Sequence, residues 1–422
     1  MDLYGELAWR GLVYDTTEGL REVLARDRIT AYSGFDPTAP SLHVGHLLPV
    51  LALARLQRFG HSPIALVGGG TGLIGDPSFK ASERALLSID QVAANAAGIH
   101  AQIGRFLDFD DATNSARLVN NAEWLTALGA IDFMRDVGKH FTVNAMMAKE
   151  SVKRRIESAD GISYTEFSYP LLQSYDYLVL HDRFHCTLQL GGSDQWGNIT
   201  AGMELVRRTR GAKVHGLVLP LLMTASGSKF GKTESGSVWL DSRLTRPYEF
   251  YQFWLNVDDR DVVQYLKFFT FLAAARIAEL ESATQDQPEH RVAQRELARR
   301  ITDMVHGDKA VKLAEAASRA LFGDDLSTMS MADLLEIFPE VPSSTIEFSV
   351  DGWALVDLLV SSGVAGSKGE ATRLIRSGGI YLNGRRVADE KRRLVSDDAI
   401  ERELFVARKG KHDHFLIRIV SR

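Results

Sequence analysis

The chain has 422 residues, of which 45% are hydrophobic and 24% charged, with 49 Lys+Arg against 54 Asp+Glu. That composition excludes collagenous, low-complexity and disordered classes, and the length sets an expectation of about three domains. One cysteine, Cys186, excludes a disulfide framework and any multi-thiolate metal site, and the net charge of −5 gives by itself no hint of nucleic acid. No run reaches the roughly 18–20 apolar residues of a membrane span, and the first residues lack the basic-then-apolar pattern of a secretory signal. A cytoplasmic protein is expected.

Over the first 220 residues, short β-rich runs alternate with longer stretches of helical period. Strands are predicted at Ile29–Phe35, Pro63–Val67, Ala116–Asn120, Thr187–Leu190 and Val214–Leu219, with helical stretches such as Leu47–Phe59 and Ser82–Phe106 between them. This rhythm predicts βαβ units on a Rossmann-like parallel sheet over residues 1–222. Ligands of such sheets sit beyond the carboxyl ends of the strands. Gly, Asp and His collect there, at Gly34-Phe35-Asp36, Gly68-Gly69-Gly70 and Gly191-Gly192-Ser193-Asp194. Residues 223–322 read as a loop followed by an almost wholly helical region rich in Ala, Leu, Glu, Gln and Arg. Residues 323–350, with Pro339, Pro342 and several Ser, predict a linker carrying one short helix. The last unit, 351–422, has 14 Lys/Arg against 10 Asp/Glu, which leaves 35 against 44 in the first 350 residues. The expected class is α/β: a parallel-sheet domain, then an α-helical domain and a small α+β domain.

The segment SGFDPTAPSLHVGHLLPVLALARL passes from strand through loop into helix. His43 and His46 bracket Val44-Gly45, and a glycine there lets a ligand approach the backbone. The unpaired N–H groups and dipole of the following helix favour an anion, and two imidazoles add donors for a polyphosphate. Pro49 falls in the first turn, where a missing N–H matters least. Downstream, Lys229-Phe230-Gly231-Lys232-Thr233 lies in a Gly/Ser-rich stretch after the last predicted strand. Two lysines on such a loop suit a triphosphate and the charge that develops as pyrophosphate leaves. A nucleotidyltransferase acting on a small molecule would share HxGH but would need neither the lysine loop, the helical region nor the basic C-terminal unit.

HVGH and KFGKT, in this order, resemble the two signatures of class I aminoacyl-tRNA synthetases. A wider resemblance, covering nearly the whole chain, is to the bacterial tyrosyl-tRNA synthetases. It is carried by Tyr32-Ser33-Gly34-Phe35-Asp36-Pro37-Thr38, Gly72-Leu73-Ile74-Gly75-Asp76-Pro77, Tyr164-Thr165-Glu166-Phe167-Ser168-Tyr169, Leu172-Gln173-Ser174-Tyr175-Asp176 and Leu190-Gly191-Gly192-Ser193-Asp194-Gln195-Trp196-Gly197-Asn198. The resemblance implies activation of L-tyrosine with ATP, as co-substrate accompanied by Mg2+, to tyrosyl-adenylate and pyrophosphate. Transfer of tyrosine to the 3′ end of tRNA(Tyr) by a homodimer follows.

Residue by residue, the resemblance implies that Tyr32 and Asp176 bond the phenolic hydroxyl, and that Asp76, Tyr169 and Gln173 hold the ammonium group. Gln195 lies near the carboxylate. Asp194, the backbone of Gly191 or Gly192, and His46 lie at the ATP ribose, with Gly34 and Asp36 beside the nucleotide. Thr38 and His43 grip the γ-phosphate, as do Lys229, Lys232 and Thr233 from the loop. No metal site on the protein is implied. Ser33 stands where some members have Cys, and Pro49 where some have Thr, so contacts to the ribose differ here. A tryptophan-specific relative is disfavoured by Tyr32 and the SYDYL block.

Residues 353–387 resemble the RNA-binding module named for ribosomal small-subunit protein four. Ser367 and Lys368 open its second helix, Arg373 and Arg376 lie on it, and Asn383-Gly384 signals a hairpin. Between Ala365 and Arg393 there are eight basic and three acidic residues, the pattern of phosphate contacts that position RNA. In the first half, the resemblance turns Lys149, Lys153, Arg154 and Arg155, then Arg207, Arg208 and Arg210, toward the tRNA acceptor arm, with Lys80 and Arg84 as further candidates.

Overall fold

The structure, a computed structural model, describes the chain apart from Met1 and residues 77–85, 158–160, 226, 228–229, 234–235, 323–325, 327–328, 339–340, 411–412 and 421–422, and apart from the side chains of residues 150–151, 154, 232–233, 319–322 and 336–337. The described residues form two compact units, residues 1–246 with 252–305, and residues 247–251 with 306–422.

The first unit holds a six-stranded sheet: β1 (Asp15–Thr16), β2 (Thr30–Phe35), β3 (Ser62–Val67), β4 (Arg117–Asn120), β5 (Cys186–Gly192) and β6 (His215–Leu219). Its order is β1-β6-β5-β2-β3-β4. All pairs are parallel except β1 with β6. β3 and β6 are buried almost end to end, as expected of strands covered on both faces. The five predicted strands are present. β1 is an addition: two residues paired antiparallel at the edge are too short to leave a periodic signal.

The strand order reverses between β5 and β2, and that switch point is where a crevice opens at the carboxyl ends of the strands. The helix Leu47–Arg58, which leaves the crevice, is buried from Leu47 through Leu48 and again from Val50 to Leu56. Its Arg55 is buried and donates from Nη2 to the carbonyls of Phe268 at 2.8 Å and Thr270 at 2.7 Å. Arg10 Nη1 donates to Lys267 O and Thr270 O. Two guanidiniums thus cover the open carbonyls at the end of the helix Asp259–Phe269, where cations are favoured.

Residues 247–322 form the helices Pro247–Leu255, Asp259–Phe269, Ala274–Asp286, Val292–His306 and Asp308–Phe322. In the second unit a five-stranded sheet has the spatial order Arg385–Arg386, Ile380–Leu382, Leu404–Lys409, Asp413–Val420, Ser343–Glu347. Alternation along Leu404–Lys409 sends Phe405 and Ala407 into one core, with the helices Leu355–Ser361 and Lys368–Arg376, while Leu404 and Val406 enter another with Leu334 and Phe338. The expected hairpin is present: Asn383 and Gly384 have φ of +49° and +83° between paired strands. Residues 323–350 depart from the linker expectation. They contain the short helix Met331–Ile337, but Ser343–Glu347 is a parallel edge strand against Asp413–Val420.

Candidate active site

A cavity of about 270 Å3 opens at the switch point of the first unit. β2 contributes Tyr32, Gly34 and, just beyond it, Asp36 and Thr38. The end of β3 contributes Gly68, Thr71 and Asp76, and the long helix Tyr164–Phe184 contributes Tyr169, Gln173 and Asp176. β5 and its following turn contribute Gln189, Gly191, Gly192, Asp194 and Gln195, and His46 lines the mouth. Most of the side chains assigned by resemblance to tyrosine and ATP therefore meet in one place.

One end of the cavity is a closed polar network. Asp176 is buried and accepts from Trp124 Nε1 at 2.7 Å and Asn121 Nδ2 at 2.9 Å. Asn121 Nδ2 also reaches Thr71 Oγ1 at 2.9 Å, and its Oδ1 accepts from Gly70 N at 2.7 Å. Thr71 Oγ1 donates to Asp36 Oδ1 at 2.7 Å, and Tyr169 Oη donates to Asp36 Oδ2 at 2.8 Å. A Cβ at Gly68 would fall 2.0 Å from Asp36 Oδ1, so only glycine leaves that carboxylate in place. Burial pushes the Asp176 carboxyl up to about 8, against the lowering effect of its two donors and with a smaller push from Asp36. Burial likewise raises the Tyr32 and Tyr169 hydroxyls. Tyr32 Oη is buried with no hydrogen-bond partner among the described residues.

Toward the middle, Gln195 Nε2 donates to Asp76 Oδ2 at 2.7 Å and to Asp194 Oδ2 at 3.2 Å, while Gln173 Nε2 reaches Gln195 Oε1 at 3.3 Å. At the mouth, His43 and His46 stack with ring centroids 3.9 Å apart. His43 Nδ1 accepts from Gly45 N at 3.1 Å, and His46 Nδ1 accepts from His43 N at 3.2 Å. Each Nδ1 is thereby an acceptor, which leaves Nε2 as the protonated donor of each neutral ring. Gly45 has a reason other than ligand approach: a Cβ there would lie 2.8 Å from His43 Cε1. His43 does not line the cavity. It stacks on His46, next to the mouth, with its ring centroid 6.1 Å from that of Trp239.

Asn121, Trp124, Thr71 and Gln189 belong to the site but were not singled out from the sequence. The available signal was position: NNAEW begins on the last residue of β4 and so falls at a strand's carboxyl end. Lys80, Arg84 and Lys229 lie outside the described residues, as do the side chains of Lys232, Thr233 and Arg154. The backbone of Lys232–Thr233 pairs with Gly236–Ser237.

Two basic residues expected at an RNA surface are elsewhere. Lys149 Nζ is buried without a hydrogen-bond partner among the described residues, and burial lowers it to about 8 against the attraction of Asp76. Arg155 is buried in an ion pair with Glu166 at 2.9 Å. Arg207 and Arg208 are exposed and share Glu204. On the second unit Arg373 is exposed, while Lys368 pairs with Asp357 and Arg376 with Glu390. Cys186 is buried, its thiol pushed up to about 12, as suits a packing residue. Among the described residues no group of three or more His, Cys, Asp or Glu side chains is placed to hold a metal ion, and no helix is long and apolar enough to cross a membrane.

The family of tRNA synthetases class I (W and Y) matches residues 24–323, and the Tyrosine--tRNA ligase SYY-like C-terminal domain matches residues 333–417. The chain belongs to the class I tRNA synthetases of this tryptophan and tyrosine family. It is 58% identical over 418 residues to the Tyrosine--tRNA ligase of Roseiflexus castenholzii, covering 98% of this chain and 99% of that one. It is 53% identical over 421 residues to that of Geobacillus stearothermophilus, covering 99% and 100%. Among solved structures it resembles a C-terminally truncated mitochondrial tyrosyl-tRNA synthetase from Aspergillus nidulans, with TM-score 0.69, 31% identity, and 76% of this chain against 94% of that one. A tryptophanyl-tRNA synthetase from Encephalitozoon cuniculi shares the fold at TM-score 0.54 and 14% identity. Fold alone therefore does not choose the amino acid, whereas full-length identity does. The activity is tyrosine–tRNA ligation: tyrosine is activated with ATP and transferred to tRNA.

Proposed function

We propose that the cavity holds tyrosine with its phenolic hydroxyl between Tyr32 and Asp176. The observation that carries this is the unpartnered Tyr32 Oη beside a buried carboxyl. A phenol both donates and accepts, so it satisfies both groups at once. Phenylalanine would leave Tyr32 Oη unpaired and give Asp176 nothing beyond Trp124 and Asn121, and the tyrosine enzymes are themselves the standing example of that rule. Asp76, Tyr169 and Gln173 receive the ammonium group, and Gln195 faces the carboxylate. ATP lies toward Gly34, Asp36, Gly191, Gly192 and Asp194, with His46 at the ribose.

In the first step a tyrosine carboxylate oxygen attacks the α-phosphorus and forms the mixed anhydride as the bond to pyrophosphate breaks. No protein nucleophile is required. Positioning and charge stabilisation carry the rate, with Thr38, His43, Lys229, Lys232 and Thr233 on the departing phosphates. Mg2+ arrives on the nucleotide, as it does where substrate phosphates supply its ligands.

The second step brings tRNA(Tyr) to Arg207, Arg208 and the exposed face of Lys368, Arg373 and Arg376, with Lys80, Arg84 and Arg154 as further contacts. In this reading residues 1–222 catalyse, 223–322 carry the lysine loop and the anticodon-side helices, and 351–422 bind RNA. The enzyme is a cytoplasmic homodimer. Support for a second copy comes from Ile131, Met134, Val143, Met147 and Ile156, exposed on three short helices, and from Tyr164, exposed at the start of the long helix that follows, since apolar surface of that kind marks an interface. The test is amino-acid-dependent ATP–pyrophosphate exchange. Exchange with tyrosine, and not with tryptophan or phenylalanine, is expected, and exchange with tryptophan alone would contradict the reading.

A further inference from the structure

The KFGKT segment is anchored at its centre. Phe230 is 5% exposed and sits among four aromatic rings, with centroids at 4.9 Å to Tyr265, 5.4 Å to Phe269, and 5.6 Å to both Phe253 and Trp254. Its backbone N–H donates to Leu222 O at 3.2 Å. The next residue, Gly231, has φ of +79°, and a Cβ there would lie 2.8 Å from Val44 Cγ2, inside HVGH. Val238 N donates to Gly231 O at 3.1 Å, and Val44 N donates to Val238 O at 2.9 Å. Ala225 N is tied to Asp261 Oδ2 at 2.9 Å. The dipeptide between the two signature lysines is thus linked to one signature through Val238 and plugged into the helices that follow the other.

We propose that Phe230 is a positioning residue for tyrosine activation: seated in this aromatic cluster, it fixes the Phe230-Gly231 backbone, and through it acts on Lys229 and Lys232, the neighbours in sequence assigned above to the departing phosphates. This rests on the lysine roles given above. Covalent adjacency makes the consequence direct, because Lys229 is one residue before the plug and Lys232 two residues after it. Gly231 is required for the same reason, since any larger residue would lift the segment off Val44 and strain a left-handed backbone. Displacing reacting groups by about 1 Å costs on the order of a hundredfold in rate.

The test is a double-mutant cycle read by pyrophosphate exchange and by equilibrium tyrosine binding. Phe230→Ala is expected to lower kcat for activation about a hundredfold with tyrosine affinity unchanged. Phe230→Leu, which keeps an apolar plug, is expected to recover most of that loss. On a Lys232→Ala background, Phe230→Ala is expected to cost clearly less than it does alone, because the part of its effect that passes through Lys232 is already lost and only the part through Lys229 remains. Full multiplication of the two losses, or an equal fall in tyrosine affinity, would overturn the proposal. Should Phe230→Ala fail to fold, Gly231→Ala enters the same cycle with the same expectation. If Lys232→Ala alone is silent, the lysine reading fails. If Lys232→Ala is slow and Phe230→Ala is not, the positioning role fails.

Discussion

The two ends of the cavity are built in opposite ways. At the end we assign to tyrosine, Trp124, Asn121, Thr71, Asp36 and Tyr169 interlock around Asp176 in a buried chain of hydrogen bonds, and Tyr32 Oη has no partner among the described residues. At the end we assign to ATP, the described residues supply a stacked histidine pair, backbone held against backbone, and glycines where a Cβ would collide. A site that must recognise one neutral hydroxyl needs fixed partners whose desolvation is already offset within the protein. A site that must follow a polyphosphate through charge redistribution needs donors on a fixed frame.

Substitutions at the two ends should therefore split the kinetic constants, and that split can break the comparison. The largest effect is expected at the ATP end. His46→Ala removes a preset Nε2 donor and should slow activation about a hundredfold, while tyrosine binding by equilibrium dialysis stays unchanged. A matching loss of tyrosine affinity would show that the ends are not separate.

At the other end, Asn121→Ala leaves Asp176 Oδ2, Thr71 Oγ1 and Gly70 N each short of a partner. Tyrosine affinity should fall by about 1–3 kcal/mol, and kcat with saturating tyrosine should change little. A fall in kcat at unchanged affinity would reverse the assignment.

A smaller effect is on stability. The Asp176 carboxyl is raised to about 8 in the folded chain and titrates near 3.9 when unfolded. The folded state holds that proton more tightly, so its contribution is full below about pH 4 and is lost as pH rises toward 8. Relative to Asp176→Asn, the unliganded protein should lose stability across that window, with a slope of at most about 1.4 kcal/mol per pH unit. Denaturation of both proteins at several pH values measures it, and a flat difference would contradict the burial of Asp176.

Much of this was legible in the sequence because local pattern carried it. The strands of the parallel sheet, the HVGH turn and the Asn383-Gly384 hairpin follow from short-range signals, whereas Tyr169, Gln173 and Asp176 were named by the family resemblance and not by local pattern. What was not legible depends on distant partners. Asn121 and Trp124 matter only because Asp176 lies against them, more than fifty residues later. Ser343–Glu347 has a single large apolar residue and becomes a strand only by pairing with Asp413–Val420. Lys149 and Arg155 read as surface charge, yet one is buried within reach of Asp76's charge and the other is buried against Glu166. Composition cannot say which member of a basic run turns inward. The mild overall acidity was likewise an average over an acidic first 350 residues and a basic remainder.

The central claim is that Tyr32 Oη waits for the substrate's hydroxyl, and Tyr32→Phe tests it most directly. That variant removes an oxygen with no hydrogen-bond partner among the described residues. Its stability should be unchanged or slightly raised, while the ratio of kcat/KM for tyrosine over phenylalanine in pyrophosphate exchange should fall about tenfold. A stable variant with an unchanged ratio, or a destabilised one, would contradict the assignment.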